Sequence, residues 1–185
     1  MKQSILAGLM LCATQCFGWD GAHVFRKTLD APTEIQGYPC DKGYAWLYLE
    51  GDLQRCSVSR ETAFGEARVP KGSVIVLSAD GKTDYALLSA DTPILSYTCK
   101  GGGPVGPGQG ASTAFYPSGK LKVCWLAEDQ NVQGTPCIGV DGLATADFHP
   151  GGIETEFYES GKLRSCTLSR DVGALKRGQV FTQAP

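Results

Sequence analysis

The sequence predicts an all-β fold, an elongated antiparallel sheet of about four stacked β-hairpin repeats, and three observations carry that prediction. The phrase FYPSGKLKVCWL (115–126) returns as FYESGKLRSCTL (157–168). Aligned on the turn glycine, the repeat extends to four copies, at Gly51, Gly81, Gly119 and Gly161; recurrence of this kind marks a repeat architecture. Within a copy, Ile153, Thr155 and Phe157 alternate with Glu154, Glu156 and Tyr158, the period of a strand with one dry and one wet face.

The N-terminus reads as an export signal over 1–18: Lys2 precedes an apolar run from Ile5 to Cys12, and small residues Cys16 and Gly18 stand ahead of Trp19. The run is shorter than the roughly 20 residues a spanning helix needs, so cleavage near Gly18 is expected to leave a mature chain, 19–185, without a membrane span. Lipoprotein processing at Cys12 or Cys16 fits less well, because Leu-Met-Leu and Ala-Thr-Gln precede them where small residues are preferred. A periplasmic or extracellular location follows.

The remainder reads as one repeat domain of hairpin units at about 35–58, 64–88, 94–126 and 132–168, followed by a C-terminal cap at 169–185. Each unit opens on a lead-in phrase: IQGYPC (35–40), a degenerate FGEARV (64–69), ILSYTC (94–99) and VQGTPC (132–137). Then comes a strand such as Glu154–Tyr158, a turn where glycine takes a backbone angle that other residues resist, and a second strand such as Lys162–Leu168. Apolar residues recur four before the glycine (Leu47, Leu77, Phe115, Phe157) and seven after it (Val58, Leu88, Leu126, Leu168). The third unit is longest, and CKGGGPVGPGQGAS (99–112) absorbs its excess as an inserted flexible loop. The cap opens like a fifth lead-in with no hairpin behind it and is read as covering the last sheet edge, with Lys176 and Arg177 guarding that edge.

Six cysteines remain after signal removal and allow fifteen pairings, so spacing alone does not choose. The repeat does. Units one, three and four each carry one cysteine in the lead-in and one five residues after the turn glycine, whereas unit two replaces both with Val69 and Ala86. Joint loss is what a bonded pair inside one unit undergoes, since an orphan thiol mispairs in an oxidising compartment. The expected bridges are therefore Cys40–Cys56, Cys99–Cys124 and Cys137–Cys166. Zinc is disfavoured by the absence of any C-x-x-C, and His23 and His149 lie away from ligand spacing; no metal and no cofactor is expected.

The phrases F-Y-x-S-G-K-L at 115–121 and 157–163 resemble the bacterial variant of the MORN repeat, in which short hairpins built on Y-x-x-G-k-L-k stack side by side. LYLEGDL and LSADGKT keep only the glycine and the apolar slots. The resemblance implies stacked hairpins and a scaffold or partner-binding role, and it transfers no catalytic residue.

Reactive groups are sparse. A hydrolytic triad would have only His23 or His149 as base, and no serine sits in a nucleophile-elbow phrase. Glu154 and Glu156, with Glu159 nearby, are candidates for glycan cleavage by paired carboxylates, although alternating glutamates also suit a wet sheet face. The glycine loop 101–110 lacks the Lys-Ser/Thr of a phosphate cradle. Tyr48, Tyr116 and Tyr158, three before the turn glycine, with Trp46 beside Tyr48, form a possible binding stripe for a peptide or glycan, or else cover the backbone and lysine stems beside the turn. Trp125 is expected to pack over the bridge of its neighbour Cys124.

With a formal charge of −2 and scattered basic residues, the chain lacks the basic track that nucleic acid or an anionic membrane calls for. The functional expectation is an exported, non-catalytic binding or structural module of the cell envelope, its partner an envelope protein or glycan. The alternative is an envelope glycan hydrolase using carboxylates on the exposed sheet face.

Overall fold

The computed structural model describes residues 24–102, 112–140 and 154–185. The export signal, His23, His149 and most of the glycine-rich loop lie outside the described residues. In chain order the strands are β1 (Val24–Leu29), β2 (Thr33–Ile35), β3 (Tyr38–Tyr48), β4 (Leu53–Val58), β5 (Thr62–Phe64), β6 (Ala67–Val69), β7 (Val74–Leu77), β8 (Thr83–Leu87) and β9 (Thr92–Ile94). They continue with β10 (Tyr97–Cys99), β11 (Ser112–Phe115), β12 (Leu121–Trp125), β13 (Gln130–Val132), β14 (Thr135–Cys137), β15 (Glu154–Phe157), β16 (Leu163–Thr167) and β17 (Val180–Thr182). The fold is all-β.

One large antiparallel sheet runs in the order β1-β3-β4-β7-β8-β11-β12-β15-β16-β17, with β2 also paired to β3. Its hairpins β3-β4, β7-β8, β11-β12 and β15-β16 are the four repeats. All four turn alike. The residue three before the glycine donates its N–H to the carbonyl one after it and accepts the glycine N–H, as Tyr158 does with Lys162 and Gly161 at 2.8 Å each. Gly51, Gly81, Gly119 and Gly161 sit at φ of 95°, 74°, 83° and 81°, in the left-handed region that a side chain resists.

One step beyond each turn the register shifts by a residue, between Trp46 and Leu47, Val76 and Leu77, Ala114 and Phe115, and Glu156 and Phe157. Two residues then oppose one, and the face of everything downstream flips. This is why Leu121, two after the glycine, and Cys124, five after it, are both buried although an odd interval separates them. The same bulge brings Leu53 with Cys56 and Leu163 with Cys166 to the inner face.

The lead-in phrases are hairpins in their own right, a feature the sequence reading treats only as unit markers. Ile35 pairs with Tyr38, Phe64 with Ala67, Ile94 with Tyr97 and Val132 with Thr135 across two-residue loops. The first loop residue is left-handed in each, with φ of 50° at Gln36, 57° at Gly65, 55° at Leu95 and 51° at Gln133.

The last three of these hairpins are separate two-stranded sheets that form a second layer over the inner sheet face, while the first stays joined to the large sheet through β3. There Ala45, Cys56, Ile75 and Ala86 stand opposite one another across successive strands, with Thr113 beside Ala86 and Thr155 beside Cys124. Phe64 of the layer meets Phe115 of the sheet edge-on at 5.4 Å, and Tyr97 stacks on Phe157 at 5.2 Å. Three disulfides tie the layers together: Cys40–Cys56, Cys99–Cys124 and Cys137–Cys166, with Cα separations of 5.6, 5.5 and 5.7 Å. In unit two, Val69 and Ala86 are fully buried in their place.

Polar side chains at the hairpin tips fasten onto the glycine turns. Gln133 donates to the Gly161 carbonyl at 2.8 Å and accepts the Leu163 N–H at 3.0 Å, and Gln36 accepts the Leu53 N–H at 2.8 Å. Glu66 of the second lead-in reaches past its own unit to the third turn, accepting the Leu121 N–H at 3.1 Å.

The C-terminal segment covers the edge of β16 by adding a strand to the sheet. Val172 and Leu175 bridge in a fifth small turn, with Gly173 at φ 58°, and β17 then joins the sheet beside β16. The segment thus covers that edge by extending the ladder by one strand. Lys176 is occupied by Asp171 at 2.8 Å, and Asp171 also accepts the Arg177 N–H at 2.9 Å, so both residues serve to close the turn before β17. A strand ahead of the first unit, β1, is assigned no element by the sequence reading and forms the other side of the sheet.

Candidate functional site

The sheet face turned away from the hairpin layer carries the candidate site. One unbroken row crosses the sheet from β1 to β17, missing only β2: Arg26, Trp46, Arg55, Val76, Tyr85, Ala114, Val123, Glu156, Ser165 and Thr182, each opposite the next. Its character changes along the sheet, from cationic and aromatic at β1–β4, through apolar at β7–β12, to acidic at β15.

The tyrosines of the expected stripe hold adjacent hairpins together. Tyr48 Oη donates to the Leu77 carbonyl at 2.8 Å, Tyr116 Oη to the Phe157 carbonyl at 2.8 Å and Tyr158 Oη to the Gln183 carbonyl at 2.9 Å. The first two bonds join one hairpin to the next, and the third joins the last hairpin to the residue after β17. Lys122 lies over the Tyr116 ring at 5.8 Å and Arg164 over the Tyr158 ring at 5.9 Å. The stripe is therefore continuous with the framework, and its hydroxyls are committed to it.

Trp125 corrects one expectation. Consecutive residues of a strand face opposite sides, so Trp125 stands on the outer face opposite Glu154, while Cys124 and its bridge lie on the inner face. Its indole N–H is buried without a hydrogen-bond partner among the described residues.

Glu154 is exposed, and Glu156 is half-buried, where it accepts from Ser165 Oγ at 3.1 Å and faces Arg164 Nε at 3.6 Å. Glu159 is exposed in the turn. On the other side of the molecule, a shallow groove of about 390 Å³ between the second and third small hairpins is lined by Glu61, Glu66, Arg68, Pro70, Asp91 and neighbours. Its charges satisfy one another: Arg68 meets Glu61 at 3.3 Å, Lys120 meets Glu66 at 2.7 Å and Lys100 meets Asp91 at 3.4 Å.

The chain matches no family model, no curated protein and no solved structure. Among the described residues no group of three His, Cys, Asp or Glu side chains could hold a metal ion, and no helix is long and apolar enough to cross a membrane.

The sequence reading passes over Arg26, Tyr44 and Arg55. Arg26 stands 4.4 Å above the Tyr44 ring and Arg55 4.6 Å above the Trp46 ring. The available signal was positional: Arg55 takes the slot four after the turn glycine that Tyr85, Val123 and Ser165 fill elsewhere.

Proposed function

We propose that the chain is an exported, non-catalytic binding or structural module of the cell envelope, built on repeats similar to the bacterial variant of the MORN repeat. The observation that carries this reading is the tie between layers. Three buried disulfides, one in each cysteine-bearing unit, suit a chain that matures in an oxidising compartment and needs a rigid frame there. The polar groups first considered for chemistry are engaged in that frame: the tyrosine hydroxyls bond carbonyls, and Glu156 is held by Ser165 and Arg164.

Crosslinking of the exported protein in its native envelope, followed by mass spectrometry, tests the reading. One protein captured in stoichiometric amount supports an interaction module, and no capture moves glycan binding and hydrolysis forward. The hydrolytic alternative is checked separately, since replacing Glu154 and Glu156 by glutamine abolishes an activity only if it holds. N-terminal sequencing of the exported chain checks maturation: a start just after Gly18 is expected, and a lipidated cysteine overturns it.

A further inference from the structure

On the outer face two guanidinium groups are held up by aromatic rings, Arg26 by Tyr44 and Arg55 by Trp46. Trp46 of β3 lies directly between them in the register, opposite Arg26 of β1 on one side and Arg55 of β4 on the other. Neither arginine forms an ion pair among the described residues. A ring uses the face of a guanidinium and leaves its in-plane N–H edge for an acceptor, and that edge matches a carboxylate with two parallel hydrogen bonds. Held this way, both cations are ordered before any ligand arrives, so less side-chain entropy is lost on binding.

The surroundings narrow the ligand. Strands lie about 4.8 Å apart, so residues two strands apart are separated by ~10 Å, which suits anionic groups recurring along an extended polymer better than a single small ion. Strands β3 and β4 are hydrogen-bonded on both sides, so no backbone beneath Trp46 and Arg55 is open to strand addition by a peptide, which is left only the outer edge of β1 among the described strands of this site. Recognition falls to side chains. Tyr44, 56 % exposed, adds an accessible ring beside the cations, the amphipathic surface that sugar C–H groups pack against. Two cations fall short of the phosphate track that nucleic acid requires.

We propose that Arg26 and Arg55, braced by Tyr44 and Trp46, form a docking site for a carboxylate-bearing polysaccharide lying across β1, β3 and β4. The site rests on the binding form of the function proposed above and names its ligand class.

The test measures binding of the mature, disulfide-intact chain to immobilised polygalacturonate, with neutral dextran and poly-glutamate as comparisons. Salt-sensitive binding to polygalacturonate is expected, with little to dextran and less to poly-glutamate. Arg26→Gln and Arg55→Gln should each weaken it about tenfold, the loss of one charge-assisted pair, while Arg164→Gln at the far side of the same face leaves it unchanged. Arg55→Lys keeps the charge but loses the planar fork, and should also bind more weakly. Retention of full affinity by the Arg26→Gln/Arg55→Gln variant, or no binding to polygalacturonate, overturns the site. Equal binding to poly-glutamate overturns the assignment to polysaccharide. If the wild-type chain does not bind polygalacturonate yet captures one protein in the envelope crosslinking experiment, the docking site fails while the module reading stands.

Discussion

The hydroxyl of Tyr116 donates to the carbonyl of Phe157 at 2.8 Å, a bond from one hairpin to the next. Tyr48 makes the equivalent bond to Leu77. In both cases the acceptor lies four residues before the next turn glycine, so the repeat stacks through a side chain as well as through its ladder. Unit two has Ser78 in the tyrosine slot, too short to span the gap, and the reverse bond from Thr83 Oγ1 to the Tyr116 carbonyl, at 3.2 Å, takes its place.

Tyr116→Phe removes that hydroxyl and keeps the ring. A net loss of about 1 kcal/mol is expected, the usual worth of one part-buried hydrogen bond. The check is a lower denaturant midpoint at unchanged slope; an unmoved midpoint would mean that the bond adds nothing over solvation by water.

Glycines in two different turns, one in a small hairpin and one in a large one, should respond differently to alanine. A Cβ on Gly65 would meet the Gly119 carbonyl oxygen at 2.5 Å and the Phe115 ring at 3.0 Å, with φ at 57°, whereas one on Gly81 meets nothing within 4 Å. Gly65→Ala therefore combines backbone strain with a clash that would pry the second small hairpin off the third turn, costing about 2–5 kcal/mol. Gly81→Ala carries the conformational cost alone, about 1 kcal/mol. Thermal unfolding of both variants decides, and equal losses would contradict the close approach.

Unit two invites a fourth bridge. Val69 and Ala86 are fully buried at the positions that hold paired cysteines in the other three units. Val69→Cys with Ala86→Cys should form a disulfide on oxidation and raise stability by roughly 3 kcal/mol in the chain-entropy picture, for a loop much like the 16-residue one closed by Cys40 and Cys56. Two titratable thiols in the oxidised, folded double variant would show that unit two departs from the geometry of its neighbours.

The large hairpins were legible because their signals are local: a turn glycine in register, alternating faces and paired losses of cysteine. The hairpin layer was less so, because strands of three residues are too short to show a period. The Gln-Gly pairs at 36–37 and 133–134 did carry a clue, since a two-residue loop with two left-handed residues favours such sequences. Leu95 carried none, being apolar, left-handed and 60 % exposed. Nor can local pattern say which tip meets which turn, and the contact of Glu66 with Leu121 spans 55 residues. Trp125 was misplaced by parity, since neighbours along a strand share no face.

Thr155 offers a gain instead of a loss. It is fully buried opposite Cys124, and its hydroxyl has no hydrogen-bond partner among the described residues. Thr155→Val has nearly the same shape and removes an unsatisfied polar group, so stability should rise by about 1 kcal/mol. A fall in the denaturant midpoint would reveal a partner for that hydroxyl.

Glu66 makes the stacking of the second small hairpin on the third turn sensitive to acid. Burial by itself raises its carboxyl pKa, but the hydrogen bond and charge of Lys120 and the Leu121 N–H outweigh it and hold the group below its ordinary value. A carboxyl depressed in the folded state stabilises that state above its unfolded pKa of about 4.3, and the contribution disappears as pH falls through the folded value. Glu66→Gln still accepts from the Leu121 N–H but does not titrate. The wild-type chain should therefore hold its full advantage over this variant near neutral pH and lose it progressively below about pH 4.3. Asp80, held down to about 2 by the Ser78 hydroxyl and by Lys82, is common to both proteins and cancels in the comparison. Melting temperatures of the pair measured from pH 7 to pH 3 provide the check, and a constant difference across that range would remove Glu66 as the titrating group.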